Sequence, residues 1–275
     1  MCAAGCSRKR WSERPRRSFA NAMRILVTFA LENEFAPWRK MRRFQRLSVD
    51  EFDRTYRAQV GDADVQVVVT GAGRFAVQRS LEHAFDKAPE ACIASGLSGS
   101  LKRAYGPREV LAPRITADVH GTKSVPGDPG LIRQAEETGA RIVERFLASD
   151  RVIATAEEKR SLGESGDAVD MESVYVLGAA AHHGVRGVAI RAISDGADSN
   201  LPLDFDRTFN ERGAVSVPQV LRQLASRPHR ITGLLRLAHD SEKAAAALAR
   251  FLDMYVQYIS ADPLTEISKA EALAI

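Results

Sequence analysis

The stretch from Ala168 to Asp198, AVDMESVYVLGAAAHHGVRGVAIRAISDGAD, constrains the fold more than any other. Asp170 and Glu172 precede a run of apolar and small residues, Val174, Val176, Leu177 and Ala179 to Ala181, whose length and spacing predict a buried helix. Gly184 stops it. From Val185 to Ile193 the chain is then almost continuously apolar, through Val188, Ala189, Ile190, Ala192 and Ile193, as in a strand covered on both faces. That strand ends on Ser194, Asp195 and Gly196. In open α/β sheets ligands sit beyond the carboxyl ends of strands, so Asp195 is the first residue placed for chemistry.

Other segments fit the same architecture. RILVTF, Arg24 to Phe29, reads as a first strand. Glu32 and Glu34 follow it, ahead of a helix-like Phe35 to Phe44; a carboxylate there more often caps a helix than catalyses. Asp53 to Val60 and Asp64 to Thr70 read as strands around the turn Gly61-Asp62. Gly71-Ala72-Gly73 then turns into a helix over Arg74 to Phe85 that places Ala76, Val77, Leu81, Ala84 and Phe85 inward. Ala91 to Ala94 is a buried strand opening into a loop, Ser95 to Ser100, whose small residues let backbone amides approach a phosphate or ribose but suit a plain tight turn equally well. Val110 to Ile115 is a short strand interrupted by Pro113, and Gly121 to Gly130 a polar loop. Leu131 to Thr138 predicts a short helix, Arg141 to Leu147 a strand or amphipathic segment, and Ser149 to Lys159 a connector. Helical patterns recur at Val217 to Ala225 and Ile231 to Ser260; the second has an apolar face to pack on the domain or on another subunit.

A chain of 275 residues can bury one large α/β core, and a single domain over residues 23–275 is expected, with extra helices at about 217–260. Residues 1–22 carry six basic side chains against Glu13 alone, whereas the whole chain is +4, so the remainder sums to −1. The basic balance therefore belongs to the tail, and the body offers no electrostatic case for nucleic acid. The tail lacks the apolar segment of a secretory signal and reads as a disordered extension or a start set too early, since Met23 directly precedes the first strand. No run approaches the ~18 apolar residues of a membrane span. Cys2, Cys6 and Cys92 form neither a disulfide framework nor a metal cluster, which fits a reducing cytoplasm.

With VDMES, RAISDGAD, ALENE and SGLSGSL in hand, the chain resembles the purine nucleoside phosphorylase superfamily, particularly the methylthioadenosine/S-adenosylhomocysteine nucleosidases, over roughly Arg24 to Asp206. Asp170-Met171-Glu172 and Arg191-Ala192-Ile193-Ser194-Asp195 carry most of the likeness. It implies a three-layer α/β/α sandwich on a twisted mixed central sheet, a homo-oligomer, no metal or organic cofactor, and cleavage of a nucleoside's N-glycosidic bond. By motif, Asp195 would be the general acid protonating the purine at N7, in a site that favours its neutral form by desolvation or hydrogen bonding. Glu172 would accept from the ribose 2′- and 3′-hydroxyls, Met171 would lie against the sugar, and Glu34 would activate water. Ser98 and Gly99 would line the ribose and nucleophile side, with Ser194 and Val152 completing the substrate contacts. Two carboxylates on opposite sides of an oxocarbenium-like sugar follow the logic of inverting glycoside hydrolysis.

Two departures stand out. Val152 occupies the place where the nucleosidases have an aromatic ring on adenine, which leaves the base open. The arginine that the phosphorylases carry before their glycine-serine loop would fall near Ala94 and is missing, which favours water over phosphate unless Arg74, Arg103 or Lys123 supplies the charge. VIATAEEK and the long carboxyl-terminal helical region are also similar to the hopanoid-associated phosphorylases, which act on an adenosine bearing a large apolar 5′ group. The expectation is hydrolysis of a 5′-substituted adenine nucleoside. Its alternatives are phosphorolysis of a bulky substrate such as adenosylhopane, and a nucleoside-binding protein without turnover.

Overall fold

The apolar runs become strands because each can bury side chains on two faces at once. In the computed structural model, which describes residues 22–47, 54–203, 219 and 231–261, β1 (Met23–Phe29) sends Ile25, Val27 and Phe29 into one core and Leu26 into the other. The strand β10 (Arg186–Asp195) divides Val188, Ile190 and Ala192 from Ala189 and Ile193 in the same way. The period-two alternation of a pleated strand produces this division, and it is why neither segment shows polar alternation in sequence.

Between them the chain forms α1 (Glu32–Arg42), β2 (Gln45–Arg46), β3 (Thr55–Val60), β4 (Ala63–Val69), α2 (Arg74–Ser80), β5 (Ala91–Ser100) and β6 (Val110–Asp118). There follow β7 (Ser124–Pro126), α3 (Pro129–Thr138), β8 (Arg141–Ala148), α4 (Ala156–Leu162), β9 (Ala168–Asp170) and α5 (Ser173–His182). The carboxyl-terminal helix α6 runs over Ile231–Ala261. The mixed sheet has α1, α3 and α6 on one face and α2 and α5 on the other, the expected three layers.

One feature of the sheet lies beyond that expectation. The ten-residue β5 pairs along one edge with β1 and then, at Gly99 and Ser100, with β9; its other edge pairs with β10. Because β9 pairs with β8, β8 with β6, and β6 with β10, the five strands β5, β9, β8, β6 and β10 close a ring beside the open sheet β1-β4-β3-β2. Closure removes edges and tilts strand ends inward.

Local expectations are corrected in several places. Ser95 to Ser100 is not a loop but the second half of β5, since closure supplies partners for its backbone. Pro113 does not interrupt β6, because it falls between the residues that pair with β10 and those that pair with β7. The Gly121 to Gly130 segment contains β7, and the Ser149 to Lys159 connector contains the start of α4. The helix after Gly73 ends at Ser80 and continues as turns, although Ala76, Val77, Leu81, Ala84 and Phe85 are all buried. The expected tail over residues 1–22 lies outside the described residues except for Ala22, as does the Val217 to Ala225 helix except for Gln219.

The apolar face of α6, with Leu248, Leu252, Tyr255, Val256 and Ile259, packs on the domain itself. Its one core-side acid, Asp253, accepts from Trp38 Nε1 at 3.2 Å and from Arg42 Nε and Nη2 at 2.5 and 2.7 Å, tying α6 to α1. No helix among the described residues is long and apolar enough to cross a membrane.

Candidate active site

A sheet core admits a charge only with partners, and Arg191 sits in the middle of β10 with 1% of its surface exposed. Three carboxylates surround it. Its Nε lies 3.0 Å from Asp170 Oδ2, its Nη2 3.4 Å from Glu172 Oε2, and its Nη1 donates to the Leu97 carbonyl at 3.3 Å. The third carboxylate, Glu34, shares Arg191's electrostatic field. Gly96 makes room for the meeting: at φ +145° it has a conformation L side chains rarely adopt, and a Cβ there would lie 2.5 Å from Arg191 Nη1 and 3.1 Å from Glu34 Oε2.

Each acid reaches this point for a local reason. Glu34, in the first turn of α1, accepts the Ala30 and Leu31 amides through Oε2 at 3.1 Å each, so it does cap the helix. Its other oxygen accepts the Leu97 amide of β5 at 3.1 Å, which carries it into the site as well. Glu32 turns away, bound to Arg39 and the Tyr56 hydroxyl. At the start of α5 the capping falls to Asp170, whose Oδ1 accepts from the amides of Glu172 and Ser173. Glu172 is thereby free to face inward, where Oε1 accepts the Gly73 amide at 2.9 Å. Burial pushes the Glu34 carboxyl up from its ordinary range against the pull of Arg191 and three amides. Glu172 is pushed up to about 7, again by burial first, with Arg191 opposing and Asp170 adding.

At the end of β10 the ladder with β5 pairs Ile193 with Ser98 and then Asp195 with Gly99, so Ser194 is the extra residue of a bulge. Bulges re-aim side chains, and this one lays the Asp195 carboxylate over Gly99, where a Cβ would stand 3.2 Å from Oδ2. Ser194 Oγ is 2.6 Å from Asp195 Oδ1 and 3.2 Å from the Ser98 carbonyl. Against Oδ2 lies the ammonium of Lys159, a side chain with none of its surface exposed, which also donates to the carbonyls of Gly196 and Ser199 at 3.0 and 3.1 Å.

The strand β5 is therefore the common floor. Glu34 meets it at Gly96 and Leu97 and Asp195 at Gly99, two residues on, or about 7 Å along a strand. Ser98 lies between them, its hydroxyl buried and without a partner among the described residues, and so able to bind a ligand. Met171 is half-buried with Cε beside Gly73, near Glu172.

Val152 lines an open cavity of about 740 Å³ with Ala154, Leu201 and Leu203. Of the cations considered for phosphate, Arg103 pairs with Asp198 and Lys123 lies over the Tyr175 ring. Sequence reasoning passed over Arg191, Lys159 and Gly73 as site residues. An arginine inside an unbroken apolar strand was a readable signal; for Lys159 only the helix-start pattern Thr155 to Glu158, a capping box in the structure, hinted at its orientation.

A family profile described as the phosphorylase superfamily matches residues 24–226. Comparison with curated proteins gives no match. Among solved structures, the 5′-methylthioadenosine/S-adenosylhomocysteine nucleosidase from Helicobacter pylori is similar with a TM-score of 0.65 and 17% identity, over 86% of this chain and 98% of that one. The futalosine hydrolase of Helicobacter pylori is similar with a TM-score of 0.65 and 17% identity, over 86% and 97%. The Neisseria meningitidis nucleosidase gives a TM-score of 0.64 and 18% identity, over 86% and 99%.

Proposed function

The chain belongs to the phosphorylase superfamily and is an enzyme of the nucleosidase and nucleoside phosphorylase kind, and from that premise we propose that it hydrolyses the N-glycosidic bond of a 5′-substituted adenine nucleoside. One observation carries this reading. Glu34 and Arg191 meet β5 at Gly96 and Leu97, Arg191 pairs with Glu172, and Asp195 lies over Gly99 of the same strand, past Ser98, whose hydroxyl has no partner among the described residues.

In this reading the ribose lies over β5, its 2′- and 3′-hydroxyls donating to Glu172, whose Arg191 and Gly73 contacts hold it in place. Glu34 is the base that takes a proton from water. Its buried carboxyl is raised towards the operating pH, which suits proton abstraction better than an ordinary glutamate. Asp195, beyond Ser98 along the strand, is the general acid that gives its carboxyl proton to purine N7 as the base departs, while the proton of the attacking water goes to Glu34. Lys159 occupies Oδ2, so exchange with the purine runs through Oδ1, which Ser194 also contacts.

Methylthioadenosine incubated in phosphate-free buffer tests the reading. Adenine and the free methylthiopentose are expected without phosphate. Release only when phosphate is added, with a sugar 1-phosphate as product, would replace hydrolysis by phosphorolysis.

A further inference from the structure

We propose that Lys159 is a positioning residue for the reaction, acting through Asp195; this rests on the reading that Asp195 handles the proton at the base. The observation is a buried cation whose every contact lies in one segment. All three hydrogens of the ammonium are used, on Asp195 Oδ2, the Gly196 carbonyl and the Ser199 carbonyl. Lys159 is also the one fully buried residue of α4, a two-turn helix that otherwise rests on the domain through the half-buried Leu162. A lysine without exposed surface is costly to bury unless its charge is paired and its hydrogens are used, as they are here.

The contact fixes what the strand leaves loose. Past the bulge, β10 has no further ladder partner, and the chain from Gly196 to Asn200 has no regular structure. The Asp195 carboxylate would turn freely about its side-chain bonds there. With Oδ2 on Lys159 and the same ammonium holding the two carbonyls of the following turn, only Oδ1 is left to face substrate. The groups facing Lys159 are Asp195 and these two carbonyls; those facing Asp195 are Lys159, Ser194 and the Gly99 backbone.

A double-mutant cycle on the full chain decides the matter, with methylthioadenosine as substrate and thermal melts to confirm folding. Lys159→Met keeps the length and apolar stem and removes the ammonium. Its kcat should fall on the order of 100-fold, the scale of a 1 Å misplacement, with KM changed less than about threefold. Lys159→Gln, which keeps a donor, should recover part of that loss, and it carries the test if the methionine variant fails to fold. In an Asp195→Asn background either substitution should cost less than about threefold more. Multiplicative losses, or a KM rise with kcat intact, would overturn the positioning role while leaving Asp195 catalytic. An Asp195→Asn enzyme as active as the parent would instead sink the proposed mechanism and this inference with it.

Discussion

Replacing Arg191 by methionine should destabilise the protein in a way that grows with pH. The substitution preserves much of the side-chain volume in a site with 1% exposure but strands Asp170, Glu172 and Glu34 without their cation. Removing one partner of a buried ion pair costs about 3–5 kcal/mol when the partner stays charged. Here two of the three carboxyls are already raised by burial, Glu172 to about 7, and Arg191 is what pulls both back. A carboxyl raised in the folded state contributes stability below its unfolded value near 4.5, and that contribution is lost as pH rises through the folded value. In the parent the Glu172 contribution is lost as pH rises through about 7; in Arg191→Met the folded values move higher and the loss continues to higher pH, by about 1.4 kcal/mol for each further unit on a carboxyl. The deficit should therefore reach about 3–5 kcal/mol at pH 8 and be smaller at pH 5, where Glu172 carries its proton and the lost contacts to Asp170, Ser173 and Leu97 make up the cost. Urea unfolding of both proteins at pH 5, 6, 7 and 8, with m-values compared, gives the difference directly. An equal deficit across that range, or a larger one at pH 5, would refute the electrostatic account of the cluster.

Gly96→Ala should lose both stability and turnover, because the added Cβ meets Arg191 and Glu34 and the backbone pays roughly 1–3 kcal/mol for its positive φ. A melt near that of the parent with unchanged kcat would show that the contact relaxes freely. Ser98→Ala should do the reverse. The hydroxyl has no partner in the described residues, so its removal should leave stability unchanged or raise it by up to about 1 kcal/mol, while KM for the nucleoside rises about tenfold. A drop in melting temperature with KM unchanged would mean that the hydroxyl serves the fold.

Much of the sheet was legible because its central strands are buried on both faces, which leaves apolar runs such as RILVTF and the Val188 to Ile193 segment that few other structures explain. The acids could be nominated too, from the VDMES and RAISDGAD motifs, although carboxylates at strand ends and helix starts commonly cap helices, as Glu34 and Asp170 also do. What stayed hidden depended on pairing at long range. Nothing local in Ser95 to Ser100 distinguishes a glycine-rich loop from a strand, because its partners come from β9 and β10, about 70 and 95 residues away. Lys159 was hidden for a related reason: a charged residue in TAEEK reads as solvated until the chain from Asp195 to Ser199 is laid over it. The choice between Glu32 and Glu34 also needed the third dimension, for both sit in the first turn of α1 and only Glu34 faces β5.

The composition of β5 now has a single physical explanation. Its ten residues, ACIASGLSGS, join the open sheet to the closed ring, and from Ser95 onward all but Leu97 are serine or glycine. A strand at such a junction is approached by side chains from several directions, here Glu34 from α1, Arg191 and Asp195 from β10, and Glu172 from the start of α5 through Arg191. Bulky residues at Gly96 or Gly99 would occupy the space those groups use. The same small residues are poor strand formers on their own, so their strand conformation depends on being clamped by β10 on one edge and β1 and β9 on the other. Ring closure and site geometry are thus one structural event: a change that opens the β5–β9 contact would draw Asp170 and Glu172, which follow β9, away from Arg191 before it unfolded the core, and activity should be lost at lower denaturant than the signal of Trp38, which is buried in that core.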